Sequence, residues 1–242
     1  MTPILTAYCV AKSYGNRRIL SSATLRAESG QLRVLFGRNG IGKSTLLKIA
    51  AGRIAPDGGS VQFAGRAYLV PHHAELAALG LFYLPDHDLL SRAYTVRVQL
   101  EMLRRQFGGG DVEAAAERVG IAAHLDKRPT RLSGGELRRA ELAAVIVREP
   151  RCLLADEPYR GISPKDAADM TVVLQSLVAS GTAVLITGHE VPTLLAAADH
   201  ISWCTNGTTY ELGAPSVAVN HEAFRREYLG SGWSGVTSRE HD

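Results

Sequence analysis

The chain has 242 residues, a formal charge of +3 from 27 basic and 24 acidic residues, and 45% apolar content. That length suits one large α/β domain or two small ones around a sizeable core. The near-neutral charge gives no push toward nucleic acid or an acidic membrane surface, so no nucleic-acid partner is expected. Cys9, Cys152 and Cys204 are widely spaced in apolar stretches, with no CxxC and no Cys/His ligand spacing. They read as buried, reduced thiols of a cytosolic protein. Residues 1–14 lack a secretory-signal pattern, and no apolar run approaches the ~20 residues needed to span a bilayer. Any membrane role is expected to come through a partner.

In chain order, residues 4–36 alternate β-prone runs ("ILTAYCV", "RILSSATLRAE", "LRVLF") with turns ("SYGN", "SGQ"). This predicts an antiparallel meander leading into a buried strand. A Gly-rich turn and the helix "KSTLLKIAAG" follow, with a stop at Gly52. "VQFAG" and "RAYLV" predict a hairpin. From about Ala93 to Val147 the periodicity turns helical, interrupted by "GGGD" and "KRPTRLSGG". Strand and helix then alternate ("RCLLAD", "PKDAADMTVVLQSLVA", "TAVLITG", "VPTLLAAAD"), the pattern of a parallel sheet with crossover helices. A short helix ("HEAFRREYLG") and a polar tail close the chain.

Gly37-Arg38-Asn39-Gly40-Ile41-Gly42-Lys43-Ser44 matches G-x-x-x-x-G-K-[ST] in full, with Thr45 following. It stands where a phosphate cradle needs to stand, after an apolar strand ending at Phe36 and before a helix. Glycines let the backbone wrap phosphates with inward N–H groups at the positive end of a helix. Lys43 supplies charge for the β- and γ-phosphates, and Ser44 a hydroxyl for Mg²⁺. Asp156 and Glu157 end the apolar run Cys152-Leu153-Leu154-Ala155. The first carboxylate can hold Mg²⁺, and the second can orient and deprotonate an attacking water. Leu132-Ser133-Gly134-Gly135-Glu136 opens a helix in the helical insert, a second place where N–H groups and a hydroxyl meet an anion.

With these motifs in this order, the chain resembles the ATP-binding cassette (ABC) ATPases over nearly its full length. The P-loop resembles Walker A, LLADE resembles Walker B, and LSGGE resembles the family signature, usually LSGGQ. Tyr14 resembles the aromatic that stacks on adenine. Leu185-Ile186-Thr187-Gly188-His189 resembles the switch segment that places His189 near the γ-phosphate. The resemblance implies a P-loop NTPase α/β core with an antiparallel β-subdomain and an inserted helical subdomain at about 88–147. It also implies one domain over 1–230 and a flexible tail at 231–242. The implied nucleotide site takes Tyr14, residues 37–45, and Ser133, Gly134 and Gly135. Lys43, Glu157 and His189 would carry catalysis, and Ser44, Asp156 and Asp86 would serve Mg²⁺. The implied function is ATP hydrolysis driving a separate membrane permease from the cytoplasmic side, with a second ATPase chain, more readily an identical one, as partner.

Two positions depart from the family pattern. Asp86 stands where glutamine is usual, and Ser163 where the D-loop has aspartate. "FRREYLGSG" resembles the terminal "YLG" of ATPases serving lipopolysaccharide export and branched-chain amino acid import. An iron–sulfur assembly ATPase is the alternative within the family. A small-molecule kinase would leave LSGGE and His189 without a purpose.

Overall fold

The computed structural model describes residues 3–230. The tail expected at 231–242 lies outside the described residues. Ten strands form one sheet in the order β5-β4-β1-β2-β10-β9-β3-β8-β7-β6. The antiparallel part comprises β1 (Leu5–Tyr14), β2 (Arg17–Ala27), β4 (Gly58–Phe63) and β5 (Arg66–Tyr68). The parallel part comprises β3 (Leu32–Phe36), β6 (Leu81–Leu84), β7 (Cys152–Ala155), β8 (Ala183–Thr187) and β9 (His200–Thr205). β10 (Thr208–Gly213) runs antiparallel to β9 and meets β2 through a single pairing, Thr208 with Ser22.

Every residue of β3, β6, β7 and β8 is buried, as strands covered on both faces require. Their alternation divides the interior in two. Leu35, Leu154 and Leu185 face a core shared with α1 (Lys43–Ala50) and the antiparallel strands. Val34, Leu153 and Val184 face the other core. There they meet α3 (Val96–Phe107), α4 (Val112–Arg118), α5 (Gly134–Arg148) and α6 (Pro164–Ala179). Thus α1, which follows the P-loop, and α5, which follows the signature serine, pack on opposite faces of one sheet.

The expected meander is only its first hairpin. β3 pairs with β8 and β9 rather than with β2, so the chain leaves the antiparallel part before entering the parallel core. Ser13 and Tyr14, read as turn, finish β1. Several elements were not anticipated, the short strand β6 among them. Another is α2 (His73–Ala78), too short for its periodicity to register. A third is the β9–β10 hairpin, whose signal was present: Asn206 and Gly207 have φ of 49° and 73°, the left-handed pair of a type I′ turn.

Cys152 and Cys204 are buried free thiols, whereas Cys9 is only half-buried. Burial pushes the Cys152 thiol up to about 12 and the Cys204 thiol up to about 11. Among the described residues no helix is long and apolar enough to cross a membrane.

Candidate active site

The P-loop joins the end of β3 to α1 across residues 37–42. Crowding demands the glycines at its two ends. A Cβ on Gly37 would sit 2.6 Å from the Cys204 carbonyl oxygen, and one on Gly42, at φ 115°, would sit 2.9 Å from both Ile19 and Leu20 side-chain carbons. Arg38, Asn39 and Gly40 are exposed, while Ile41 is half-buried against the α1 core. Lys43 is buried, and its Nζ donates back to the loop carbonyls of Gly37 at 2.7 Å and Arg38 at 3.2 Å. Burial pushes its ammonium below the usual lysine range, opposed by Glu157, Cys204 and Asp156.

The carboxyl ends of β3, β7 and β8 meet here, the position where parallel α/β sheets bind ligands. Asp156 is 1% exposed and receives three hydroxyls. Ser44 Oγ donates to Oδ1 at 3.0 Å, Thr187 Oγ1 donates to the same oxygen at 2.8 Å, and Tyr83 donates to Oδ2 at 3.3 Å. The carboxylate pushes the Tyr83 phenol further up, beyond the larger effect of burial. Next along the chain, Glu157 has φ 47°, a left-handed conformation rare for a residue with a side chain and typical of strained functional positions. Its N–H donates to Thr187 Oγ1 at 2.9 Å, and its Oε1 lies 2.9 Å from His189 Nε2. Lys43, Ser44, Asp156, Glu157 and His189 are therefore gathered into one constellation. Thr187 binds both acids and was not singled out from the sequence; a lone polar residue ending an apolar strand was its only mark.

The signature segment stands elsewhere. Ser133 caps α5 and exchanges hydrogen bonds with Glu136: Glu136 N–H donates to Ser133 Oγ at 3.3 Å, and Ser133 N–H donates to Glu136 Oε2 at 2.7 Å. Ser133 and Gly134 are exposed and Gly135 half-buried. Two residues further on, Arg138 is 5% exposed and was also missed. It donates to the carbonyls of Pro158 at 2.9 Å, Pro85 at 3.0 Å and Glu157 at 3.1 Å. It also pairs with Glu141 at 2.6 Å. A buried guanidinium thus ties α5 to the backbone of the second acid, of the proline that follows it, and of the loop after β6.

Asp86 does not join Ser44 and Asp156 by any hydrogen bond among the described residues. Its carboxylate pairs with His87 at 2.7 Å and Arg160 at 3.3 Å. Tyr14 is 49% exposed at the end of β1, with Lys12 Nζ 5.8 Å from its ring centroid. An open ring of this kind can accept a flat base on its free face. Thr45 is half-buried in the first turn of α1.

The donor set around Asp156 suits a small hard cation. It is made of oxygens only, holds one buried carboxylate beside a hydroxyl, and contains no salt bridge to Asp156 among the described residues.

Known proteins resemble this chain over most of its length. The family described as ABC transporter matches residues 20–160, more than half of the chain. The lipopolysaccharide export system ATP-binding protein LptB of Haemophilus influenzae is 32% identical over 94% of this chain and 97% of its own length. A probable ABC transporter ATP-binding protein of Azorhizobium caulinodans is 32% identical over 93% of this chain and 83% of its own. Among solved structures, the ATP-binding cassette MJ1267 superposes with a TM-score of 0.81 at 23% identity, covering 91% of this chain and 95% of its own. A dimeric cassette, MJ0796 with ADP and phosphate, superposes with a TM-score of 0.77 at 20% identity over 86% of this chain and 98% of its own. The chain belongs to the ABC transporter ATP-binding subunits, the family of ATPases that power ABC transporters.

Proposed function

We propose that this ATPase works as a dimer whose two nucleotide sites each combine one chain's P-loop with the other's signature segment, and that dimer closure drives a membrane permease. The observation that carries this reading is the placement of the two motifs. The P-loop continues into α1 on one face of the sheet, whereas Ser133, Gly134 and Gly135 open α5 on the other. A second chain packed head to tail would bring each signature segment to the other's phosphates, giving two equivalent sites if the chains are identical.

Within each site, Tyr14 would stack on the adenine. The amides of residues 37–45 would wrap the phosphates, and Lys43 would neutralise the β- and γ-oxygens. Ser44 and Asp156 would hold Mg²⁺, which supplies charge neutralisation of the phosphates when bound. Glu157 would accept the proton of the attacking water, with His189 at its side orienting the carboxylate and donating toward the γ-phosphate. We assign Asp86 to the loop beyond β6, where Arg160 and His87 hold it, rather than to the metal.

For the permease contact, Val98 and Met102 are 42% and 56% exposed one turn apart on α3, and Tyr94, just before that helix, is 52% exposed. That apolar stripe lies on the helical subdomain, a surface suited to a membrane protein's cytoplasmic loop. It would place the ATPase on the inner face of the membrane.

Glu157→Gln tests the dimer. The amide removes the base while nearly preserving shape, so ATP should persist and lock two chains together. Light scattering should give a dimer with ATP and a monomer with ADP or without nucleotide. A monomer in all three conditions, or a dimer indifferent to nucleotide, would overturn the composite site.

A further inference from the structure

The C-terminal helical turns, Glu222–Phe224 and the π-helical Arg225–Leu229, pack against the start of the P-loop. Phe224 and Tyr228 lie four residues apart and so share one face. Their rings stack at 5.3 Å, and they meet Phe36, the last residue of β3, at 5.9 and 5.5 Å respectively. Trp203 of β9 closes the cluster against Phe224 at 5.7 Å. In a chain with only 6% aromatic residues, four of them gather where the phosphate loop begins.

Two polar contacts continue from this cluster into the loop itself. Arg38 donates to the Glu227 carbonyl at 2.8 Å, and the Gly37 amide donates to the Tyr228 hydroxyl. Burial pushes the Tyr228 phenol up to about 12; the Gly37 amide opposes that rise, while Glu190 and Glu157 add to it. The hydroxyl thus stands within electrostatic reach of the second acid. Gly37 and Arg38 are also the two residues whose carbonyls receive Lys43 Nζ, at 2.7 and 3.2 Å. Each is therefore held twice, its carbonyl by the lysine and its amide or side chain by the C-terminal turn. Cys204 crowds Gly37 as well, leaving no room for a Cβ.

We propose that this turn braces the phosphate cradle, with Tyr228 as a positioning residue: its hydroxyl and the Glu227 carbonyl fix Gly37 and Arg38 and, through their carbonyls, the Lys43 ammonium. The brace rests on the reading that residues 37–45 wrap the phosphates. It acts within one chain, so it needs no dimer. A cradle fixed before ATP arrives spares the cost of ordering it on binding. If Tyr228 only filled the aromatic cluster, its hydroxyl would be dispensable, and phenylalanine would replace it without consequence for ATP.

The test is calorimetric titration of the full chain with ATP, Mg²⁺ being withheld to prevent turnover, beside phosphate release with Mg²⁺ present. The proteins are wild type, Tyr228→Phe, Arg38→Gln, their double variant and Arg38→Lys. Tyr228→Phe keeps the ring contacts, so the melting temperature without nucleotide should hardly move. ATP affinity should nevertheless fall roughly three- to ten-fold, the worth of one hydrogen bond, and KM should rise in step while kcat changes less. Arg38→Gln should behave alike, and Arg38→Lys, which can still donate to the Glu227 carbonyl, should bind ATP close to wild type. The double variant should lose less than the sum of the singles, because both act through one turn. Wild-type ATP affinity in Tyr228→Phe would overturn the brace. So would strictly additive losses, or a loss of affinity matched by a fall in melting temperature. The underlying reading fails separately: Lys43→Ala that binds ATP as wild type does would sink the phosphate cradle itself, whereas Lys43→Ala that loses ATP beside an unaltered Tyr228→Phe sinks the brace alone.

Discussion

At the P-loop, Lys43 and Asp156 are buried, and the side chains of Lys43, Ser44, Asp156, Glu157 and His189 each have a hydrogen-bond partner within the chain. At the signature segment, Ser133 and Gly134 are exposed and are held chiefly by their own capping box. One region is finished by the fold; the other is a surface. The contrast has a physical basis. Charge inside a low-dielectric site acts strongly only if it is fixed before the reaction, which the strand ends achieve. A surface that must meet and leave another molecule is better held by a few replaceable hydrogen bonds.

The largest effect should come from the buried half. Lys43→Ala is expected to lower the rate of phosphate release by about two to three orders of magnitude, since one charge donor to the phosphates is lost. The same change should not destabilise the fold. Burial lowers the lysine's pKa, so the folded state already disfavours its ammonium form. That penalty is fully present below the depressed folded pKa and vanishes above the unfolded value of 10.5. Without nucleotide, the variant should therefore melt at or above wild type at neutral pH, and the gap should close as pH rises through that window. A variant that unfolds at neutral pH would show Lys43 to be a structural strut and would break the comparison.

Thr187→Val should have a smaller but double effect. It removes the donor to Asp156 at 2.8 Å and the acceptor of the Glu157 N–H at 2.9 Å while keeping volume. Leaving these buried groups short of partners should cost about 1–3 kcal/mol in urea unfolding. Loosening the strained Glu157 should also lower kcat roughly ten- to hundred-fold with little change in KM. Thr187→Ser should restore both. An unaltered kcat would show that Glu157 holds its conformation without this hydroxyl.

How much of this was legible in the sequence follows the same division. Residues 37–45 and the pair Asp156-Glu157 are contiguous, so strand, turn and helix signals place them without any tertiary knowledge. His189 lies far along the chain, two residues past the strand Ala183–Thr187, and it was singled out by the resemblance of its segment to the family's switch. Thr187, Tyr83 and Arg138 carry no such mark. Their roles arise only when β6, β7, β8 and α5 come side by side, and nothing local distinguishes a serving hydroxyl from a solvated one. The ion pair of Asp86 was hidden for the same reason, because Arg160 reaches it from 74 positions away. The β9–β10 hairpin was a different kind of miss, since Asn206-Gly207 announces a turn and was passed over.

The finest test of the exposed half is Glu136→Gln, which installs the family's usual residue. The Ser133 N–H, followed by the Ser133 hydroxyl, holds the Glu136 carboxyl below the usual glutamate range; His124 and Lys127 add to the lowering and burial opposes it. Because the folded pKa is lowered, its stabilisation is present above the unfolded value of 4.5 and is lost as pH falls through the depressed one. Glutamine also completes a capping box but does not titrate there. The two proteins should thus differ slightly in Tm at neutral pH and converge as acid protonates the glutamate. Binding should respond in the opposite sense. A carboxylate at the N-terminus of α5 repels the phosphates that this end is proposed to face, so the glutamine variant, combined with Glu157→Gln, should form the ATP dimer at lower protein concentration. The gain should shrink with added salt, as an exposed charge effect must. A dimer weakened by the change, or strengthened equally at high salt, would mean that Glu136 does not face the partner's nucleotide and that the surface half is turned another way.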